Sequence, residues 1–315
     1  MRAALFDRYG PPEVLYEGVV PDPEVEPGQV LVRVHAASVN GGELMGRSGR
    51  LKLLLGRKFP KRVGIDFAGE VVSGPGFEPG AHVWGGLPRG EFGSAAEYVA
   101  VHPRQLAASP AGVDPVRAAA LPGVGTTAIT ALRDKAGLRR GERLLVRGAS
   151  GGVGSVAVQV GKAYGAHVTA LAGRGNLDFV RELGADEAVD YRTDPADLGR
   201  FDVVLDTHGS TPRAYRRLLA PGGRMVGIAF RSAADVGYLL ASTAFGPRRV
   251  RFFSGNPRTD LFADLTALVE SGAVRPVVEA VHPLGAVAEA HRALEAGGVR
   301  GKHVIRVAED GGPRR

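Results

Sequence analysis

The sequence predicts an α/β protein of two domains, in which short β-strands come first and a doubly wound parallel sheet follows. The chain has 315 residues, which is enough for two domains that each bury a core. From Met1 to about Leu121, β-like segments alternate with turns rich in proline and glycine. From Thr126 onward, helical and strand patterns alternate, which is typical of a parallel sheet covered by helices.

The first region contains three clear strand patterns. Residues Leu31 to His35 alternate between apolar and polar, and the segments Asp66 to Ser73 and Glu97 to Val101 follow. Because short strands joined by Pro-Gly turns are typical of small barrels, this region predicts a partly open β-barrel.

The second region predicts six strands with helices between them. Strand patterns occur at Arg143 to Arg147, His167 to Leu171, Ala188 to Tyr191, Phe201 to Asp206, Arg224 to Phe230 and Val250 to Ser254. Helical patterns occur at Thr126 to Lys135, Gly152 to Tyr164, Leu177 to Leu183 and Arg213 to Leu219. This alternation predicts a doubly wound parallel six-stranded sheet.

The C-terminal region is predicted to fold as part of the first domain. Helical patterns at Asp260 to Ser271 and about Gly285 to Glu295 alternate with strand patterns at Val277 to Val281 and His303 to Val307. We therefore expect residues 1–121 and 256–315 to form one domain and residues 122–255 to form the other.

The composition is that of an ordinary globular protein. Hydrophobic residues make up 44% and charged residues 23% of the chain, and no apolar run approaches membrane-spanning length. Arg2 and Asp7 interrupt the N-terminal segment, so no secretory signal is expected. The sequence has no cysteine, which excludes disulfides and thiolate-bound metals. We expect a cytoplasmic protein with no membrane partner.

The net charge of +7 is spread along the chain and interleaved with acids, which argues against nucleic acid as a partner. One cluster stands out, because seven cations between Arg47 and Arg62 are interleaved with leucines and contain no acid between them. This segment is either a solvated charged face over a leucine stripe or a cationic lip over the active site that favours anionic substrates.

The glycine-rich stretch from Arg143 to Gly154 is the strongest functional signal. It reads RLLVRGASGGVG, in which a buried strand pattern breaks into a glycine turn and resumes as a helix. Small residues at such a turn let the backbone approach a pyrophosphate, whose charge is met by the helix N-terminus. The stretch predicts dinucleotide binding, although a lone glycine-rich turn can also be only a loop.

The residues about one strand further on favour NADPH over NADH. An NAD site would place Asp or Glu near Thr169 to Asn176, but the first carboxylate comes only at Asp178. Arg174 instead offers a permanently charged planar group that can bind a 2′-phosphate. The alternative is that Arg174 is an ordinary solvated surface residue.

A second enzyme class fits the same turn. Gly148-Ala-Ser150-Gly-Gly152 also spells the nucleophile elbow of α/β-hydrolases, with Ser150 as the nucleophile, and Asp206 followed by His282 or His291 comes in the right order. The elbow normally follows several β-α units, whereas short strands precede it here. The context therefore disfavours a hydrolase.

Several segments together resemble one enzyme family over almost the whole chain. They are Ala3 to Val14, Val32 to Asn40, Gly64 to Val71, Gly125 to Ala128, Gly148 to Gly154, Leu183 to Asp186 and Arg300 to Lys302. They resemble the medium-chain dehydrogenase/reductase superfamily, in its zinc-free quinone oxidoreductase (zeta-crystallin-like) branch. The resemblance implies a GroES-like partly open β-barrel catalytic domain and a Rossmann NADP-binding domain, assembled as a homodimer through the sheet edge at Val250 to Ser254.

The resemblance also implies chemistry without a metal. Gly64-Ile-Asp66 stands where the zinc branch reads Gly-His-Glu, and the cysteine ligands of that branch are absent. An alkoxide that formed from a simple ketone would lack its Lewis acid, so the expected acceptor is a quinone or an α,β-unsaturated carbonyl compound, and a cationic lip would favour an anionic one.

The family pattern assigns site residues by position. Asn40 is expected near the nicotinamide ribose or carboxamide, and Thr127 near the adjoining phosphate or ring. The pyrophosphate is expected at Ser150, Gly151, Gly152 and Val153, the 2′-phosphate at Gly173, Arg174 and Asn176, and the adenine at Tyr191. The nicotinamide half is expected at His208, Ala229, Phe230, Phe253 and Ser254. Asn40 could instead cap a turn, and Tyr191 could fill the core.

The proton donor has no clear candidate. Family members often carry a tyrosine after the asparagine motif, but Gly46 to Arg50 contains none. Ser38, Glu43 or bulk water remain, and quinol oxygens can take protons from solvent. The sequence thus predicts an NADPH-dependent quinone oxidoreductase or enone reductase. The alternatives are an enoyl reductase of polyketide or other secondary-metabolite biosynthesis and a non-catalytic, crystallin-like protein that binds NADPH or RNA.

Overall fold

The computed structural model describes residues 1–229, 237–238, 242, 250–253, 255–256 and 258–308. The chain divides into two compact units. The first comprises residues 1–123, 256–270 and 276–315, and the second comprises residues 124–255 and 271–275. The predicted site residues Phe230 and Ser254 lie outside the described residues.

Sixteen strands run through the described residues. They are β1 (Arg2–Phe6), β2 (Leu15–Val19), β3 (Val30–Ser38), β4 (Lys61–Arg62), β5 (Asp66–Ser73), β6 (His82–Gly86), β7 (Tyr98–Val101), β8 (Leu106–Ala108), β9 (Arg143–Arg147), β10 (His167–Ala172), β11 (Glu187–Asp190), β12 (Phe201–Asp206), β13 (Leu219–Gly227), β14 (Val250–Phe252), β15 (Val278–Pro283) and β16 (Lys302–Arg306).

Nine α-helices connect the strands of the described residues. They are α1 (Gly41–Arg47), α2 (Lys52–Leu55), α3 (Pro115–Ala118), α4 (Pro122–Ile129), α5 (Gly152–Ala163), α6 (Leu177–Glu182), α7 (Pro212–Arg216), α8 (Thr259–Glu270) and α9 (Val287–Ala296). A π-helix, Thr130–Ala136, continues α4. None of these helices is long and apolar enough to span a bilayer.

The first unit contains a seven-stranded sheet and a three-stranded sheet. The large sheet has the order β15-β16-β3-β5-β6-β8, with β7 also paired to β3, and the small one has the order β2-β1-β4. Pairing of β3 with β5 places Ser38 opposite Asp66. Alternating side chains of β3, such as Val30, Val32 and Val34, are fully buried in the core. Two polar residues therefore meet at the end of a strand pair whose inward side chains are apolar.

The second unit contains the predicted doubly wound sheet. Its order is β11-β10-β9-β12-β13-β14, and all neighbouring strands are parallel. The prediction of a parallel six-stranded sheet is confirmed. The chain proceeds to one side of β9 through β10 and to the other side through β12, so the switch point lies beside the carboxyl end of β9. Ligands of open α/β sheets bind at such a point.

Two predicted helices in the second unit have wrong bounds, and the strand predicted at Arg224 to Phe230 is instead β13, which starts at Leu219 and ends at Gly227. The expected helix Thr126 to Lys135 is instead α4 followed by the π-helix, because the chain keeps winding with wider turns up to Ala136. The expected helix Arg213 to Leu219 is shortened to α7, because Leu219 pairs with Phe201 at the start of β13. Long-range pairing thus overrides the local helical pattern.

Candidate functional site

The turn after β9 has the geometry that a phosphate-binding turn needs. Gly148 has a φ of +73°, which a residue with a side chain rarely adopts. A Cβ on Gly154 would lie 2.0 Å from the Gly148 carbonyl oxygen, so this glycine lets helix α5 pack against the turn. A Cβ on Gly151 would meet only the Gly148 oxygen, at 3.6 Å. The space beside Gly151 is therefore open to a ligand.

Helix α5 directs its N-terminus towards this turn. Gly151 is the N-cap residue, in extended conformation, and it provides no side chain to cap the helix. The first intrahelical bond of this turn runs from the Ser155 amide to the Gly151 carbonyl, at 2.8 Å. The amides of residues 152–154 have no acceptor within the helix, and the helix dipole favours an anion there. A pyrophosphate fits this end of the unit.

The residues after β10 form the adjoining edge. The Asn176 side-chain amide donates to Ser150 Oγ at 3.2 Å, which joins this loop to the glycine turn. Tyr191 is 55% exposed, and its ring lies beside Gly173, 3.5 Å from where a Cβ would stand. The structure thus brings four of the predicted residues together along one edge, and Tyr191 does not fill the core.

Arg174 extends from this edge into solvent. Its side chain is 86% exposed, and its Nε lies 3.7 Å from Asp190 Oδ2. Asp190 is the last residue of β11, so this carboxylate comes from a neighbouring strand rather than from the end of β10. Sequence reasoning missed it because the expected position of an acidic residue was counted only along the chain.

Among the predicted nicotinamide-side residues of the second unit, His208, Ala229 and Phe253 follow the ends of β12, β13 and β14. A Cβ on Gly255 would lie 3.3 Å from Thr127 Oγ1, so the two positions are neighbours. The His208 amide donates to Asp206 Oδ1 at 3.0 Å, and His208 Nδ1 lies 3.0 Å from Ser210 Oγ. Ala229 and Phe253 are partly buried.

A buried ion pair anchors the loop after β12. Arg147 Nη1 donates to Asp206 Oδ2 at 3.0 Å, and its guanidinium stacks 3.9 Å above the Tyr215 ring. Asp206 Oδ1 accepts from the amides of His208 and Gly209. Both carboxylate oxygens are therefore engaged by Arg147 and the loop, so Asp206 does not orient a histidine as a hydrolase would require.

The first unit holds a buried polar network centred on Asp66. This carboxylate is fully buried, and its Oδ1 accepts from the Ser38 hydroxyl at 2.7 Å and from Asn40 Nδ2 at 3.1 Å. Its Oδ2 accepts from the Gly123 amide at 3.1 Å. Such a charge can stay in the interior because each oxygen has donors.

Asn40 is the hub of this network. Its Oδ1 accepts from Lys302 Nζ at 2.6 Å, while its Nδ2 also donates to Glu43 Oε1 at 3.2 Å. A cation beside the oxygen and carboxylates beside the nitrogen leave one orientation for the amide. Asn40 also lies at the N-cap of α1, where its backbone amide donates to Glu43 at 3.0 Å. It is therefore both a cap and part of the network.

The charged members of the network are shielded from water. Lys302 is 5% exposed; burial lowers the pKa of its ammonium, and Asp66 and Glu43 oppose that shift. Burial raises the pKa of Asp66, against the effect of Lys302 and the Ser38 hydroxyl. His291 is fully buried, with its Nε2 3.7 Å from Glu43 Oε2. Sequence reasoning missed Lys302 and His291 in this role because they come from distant segments.

The predicted proton donors Ser38 and Glu43 both belong to the interior. Ser38 is 1% exposed and its hydroxyl proton is used on Asp66. Glu43 is 2% exposed and accepts from Asn40 and from the Gly64 amide. Either could pass a proton only through neighbouring groups. Among the described residues, no three His, Asp or Glu side chains are grouped as a metal site.

Comparison with known proteins gives consistent matches. Residues 26–111 match the alcohol dehydrogenase GroES-like domain, and residues 183–305 match the zinc-binding dehydrogenase family. The protein from Homo sapiens named NAD(P)H oxidoreductase RTN4IP1, mitochondrial, is 32% identical, over 98% of this chain and 89% of that one. The NADPH-dependent alkenal/one oxidoreductase, chloroplastic, of Arabidopsis thaliana is 34% identical, over 97% of this chain and 79% of that one.

A solved structure agrees over the same length. The quinone oxidoreductase from Coxiella burnetii superposes with a TM-score of 0.90 at 29% identity, covering 98% of this chain and 99% of that one. The predicted combination of a GroES-like domain with a Rossmann sheet is confirmed by these matches.

Proposed function

Because the chain belongs to the medium-chain dehydrogenase/reductase family, in its quinone oxidoreductase branch, we propose that it transfers hydride from NADPH to a quinone or an activated alkene without zinc. An oxidoreductase that uses a nicotinamide cofactor follows from the family. The choice of NADPH rests on one observation, the exposed Arg174 at an edge where β10 ends without a carboxylate.

The second unit supplies the cofactor site in this proposal. The open amides at the start of α5 would hold the pyrophosphate, Arg174 the 2′-phosphate, and Tyr191 the adenine. Asn176 would hold the Arg174 loop against the glycine turn through its 3.2 Å hydrogen bond to Ser150 Oγ. The bound cofactor supplies the hydride, and the chain supplies orientation and charge.

The first unit supplies the rigid polar end of strand β3. Lys302 holds the Asn40 amide in one orientation, and the Ser38 hydroxyl donates to Asp66 Oδ1. We propose that Asn40 orients the nicotinamide half and that solvent protonates quinol oxygens directly. An alkene acceptor needs a proton on carbon, for which the candidates are bulk water and the buried Ser38 and Glu43, each of which would act only through neighbouring groups.

The donor set supports a site without zinc. A zinc ligand needs a free lone pair directed at the metal, but Asp66 Oδ1 already accepts from Ser38 and Asn40, and Oδ2 accepts from the Gly123 amide. The Lys302 ammonium in the same network would also repel a cation. We also propose a cytoplasmic location and a homodimer through β14. The names of the two relatives refer to mitochondria and chloroplasts.

Titration of the protein with NADPH and with NADH tests the cofactor proposal. We expect NADPH to bind more tightly, and Arg174→Ala to weaken NADPH binding about 10- to 100-fold while NADH is unaffected. Arg181→Ala is the matched control, because Arg181 is also exposed but is paired with Asp178 on α6. Equal affinity for the two cofactors in the unaltered protein would overturn the proposal.

Cofactor oxidation with a panel of simple quinones, enones and enoyl thioesters then tests the acceptor. Turnover of quinones or enones supports the proposal, and a strong preference for enoyl thioesters would favour the enoyl reductase. Binding of NADPH with no acceptor-dependent oxidation, together with steeply salt-dependent RNA binding, would favour the non-catalytic protein.

A further inference from the structure

A short turn in the first unit presents two leucines to solvent. Leu53 is 97% exposed and Leu54 is 73% exposed, and both lie on α2. We refer to residues 50–58 as the cationic leucine turn. Burial of large apolar side chains is the main stabilising force in folding, so two adjacent leucines fully in water indicate a surface that is covered by something else.

The base of the turn is packed, so the exposed leucines are held in place. Phe59 packs against Phe6 and Tyr9, with ring centroids 6.0 Å and 5.2 Å apart. Lys61 Nζ donates to the Leu55 carbonyl at 2.7 Å, and Leu55 itself is half-buried. Leu55 and Phe59, which follow the tip, are thus partly buried while Leu53 and Leu54 are exposed.

The leucines are surrounded by unneutralised positive charge. Arg50, Lys52, Arg57 and Lys58 are all exposed, and none forms an ion pair with the residues that the structure describes. The seven-cation segment identified in the sequence therefore loses only Arg47, Lys61 and Arg62 to the interior or to local contacts. Its exposed part therefore presents apolar side chains and cations side by side.

We propose that the cationic leucine turn docks the protein on an anionic phospholipid surface. The leucines would enter the boundary between headgroups and acyl chains, and the four cations would meet lipid phosphates. A second copy of the chain is a poorer partner, because a twofold contact through this turn would place the same cations opposite each other. The proposal does not depend on which acceptor the enzyme reduces.

Flotation of the full chain with phospholipid vesicles tests this inference. Vesicles of phosphatidylcholine alone are compared with vesicles that also contain phosphatidylglycerol, at low and at high salt. We expect binding only to the anionic vesicles, weakened by salt because the cations are exposed. We expect Leu53→Ser/Leu54→Ser and Arg57→Glu/Lys58→Glu each to weaken binding at least about tenfold.

Matched control variants distinguish an effect of the turn from a general effect of surface charge or of exposed apolar side chains. Val19→Ser removes an apolar side chain that is 80% exposed elsewhere, and Arg104→Glu/Arg117→Glu changes the net charge as much as Arg57→Glu/Lys58→Glu does. All these variants alter exposed side chains, so thermal unfolding should confirm that each is folded.

Several outcomes would overturn the inference. They include no binding to anionic vesicles, binding that survives loss of both leucines, and binding that the control charge reversal weakens equally. Sedimentation that shows a dimer lost in Leu53→Ser/Leu54→Ser would assign the turn to a second copy. If the variants of the turn reduced an anionic soluble acceptor more slowly but bound vesicles as the unaltered protein does, the turn would be assigned to substrate binding. NADPH oxidation by the unaltered protein, measured separately, tests the proposed function and does not bear on docking.

Discussion

The network around Asn40 in the first unit and the edge around Arg174 in the second unit hold their charges in opposite ways. In the first, Lys302, Asp66 and Glu43 are buried and bonded to one another through Asn40. In the second, Arg174 and Tyr191 stand largely in solvent around an open glycine turn. In the first arrangement the charged groups are already bonded to protein partners, whereas the second leaves donors and charge for a ligand.

This difference separates stability from binding. Substitutions in the buried network should act first on the free energy of unfolding, because they leave desolvated groups without partners. Substitutions at the exposed edge should act on cofactor affinity and leave unfolding unchanged.

The largest effect is expected from Lys302→Met. Removal of the ammonium leaves Asp66 buried without its countercharge, which should lower the free energy of unfolding by about 3–5 kcal/mol. Urea denaturation measures this loss. The double variant Lys302→Met/Asp66→Asn should recover part of it, and a single-variant loss below about 1 kcal/mol would show that water reaches the network.

Two alanine substitutions separate the packing role of the glycine turn from its role in binding the cofactor. Gly154→Ala should cost about 1–3 kcal/mol, because its Cβ would stand 2.0 Å from the Gly148 oxygen. Gly151→Ala has room within the protein and should change stability by less than about 0.5 kcal/mol while weakening NADPH binding about tenfold. Thermal unfolding and fluorescence titration measure the two effects. Unaltered cofactor affinity in Gly151→Ala would place the pyrophosphate elsewhere.

Lower pH should destabilise the first unit through its histidines. Burial lowers the pKa values of His35, His282 and His303 below the ordinary value of 6.5. Below about pH 6.5 the unfolded chain therefore binds protons that the folded chain does not, and stability falls as pH decreases towards the folded pKa values. The melting temperature should be constant above that range and fall below it. His303→Gln should reduce the slope, and an unchanged slope would assign it to other groups.

The smallest effect is expected from Asp190→Asn. Loss of this carboxylate frees Arg174 from a weak exposed pair, so NADPH affinity should rise about two- to fivefold. The same titration used for Arg174→Ala measures it. A fall in NADPH affinity would mean that Asp190 orients Arg174 rather than competing for it.

Sequence reasoning was strongest where local pattern and long-range pairing agree. Strands β5, β9 and β12 have their predicted bounds because each is an apolar run between turns. It was weaker at Leu219, where pairing with Phe201 converted an expected helix end into β13. Strands β1 and β2 were not predicted, although Ala3 to Val14 contributed to the family resemblance.

In the candidate site, too, local sequence patterns did not predict the contacts that depend on long-range pairing. The glycine turn and Arg174 could be found from the sequence, because each carries its chemistry in a local motif. Lys302 lies far along the chain from Asn40, and only the pairing of β16 with β3 brings its segment to that strand end. Asp190 likewise reaches Arg174 across neighbouring strands. Contacts of this kind depend on the register of the sheets, which no local pattern encodes.

The buried Arg147–Asp206 pair has a consequence for protein engineering. It ties the residue before the glycine turn to the segment 206–210, so the positions of these two backbone segments depend on each other. A library that randomises either piece alone will mostly sample broken pairs. Laboratory evolution towards a different acceptor should vary both together, or leave both intact and diversify the surface beyond them.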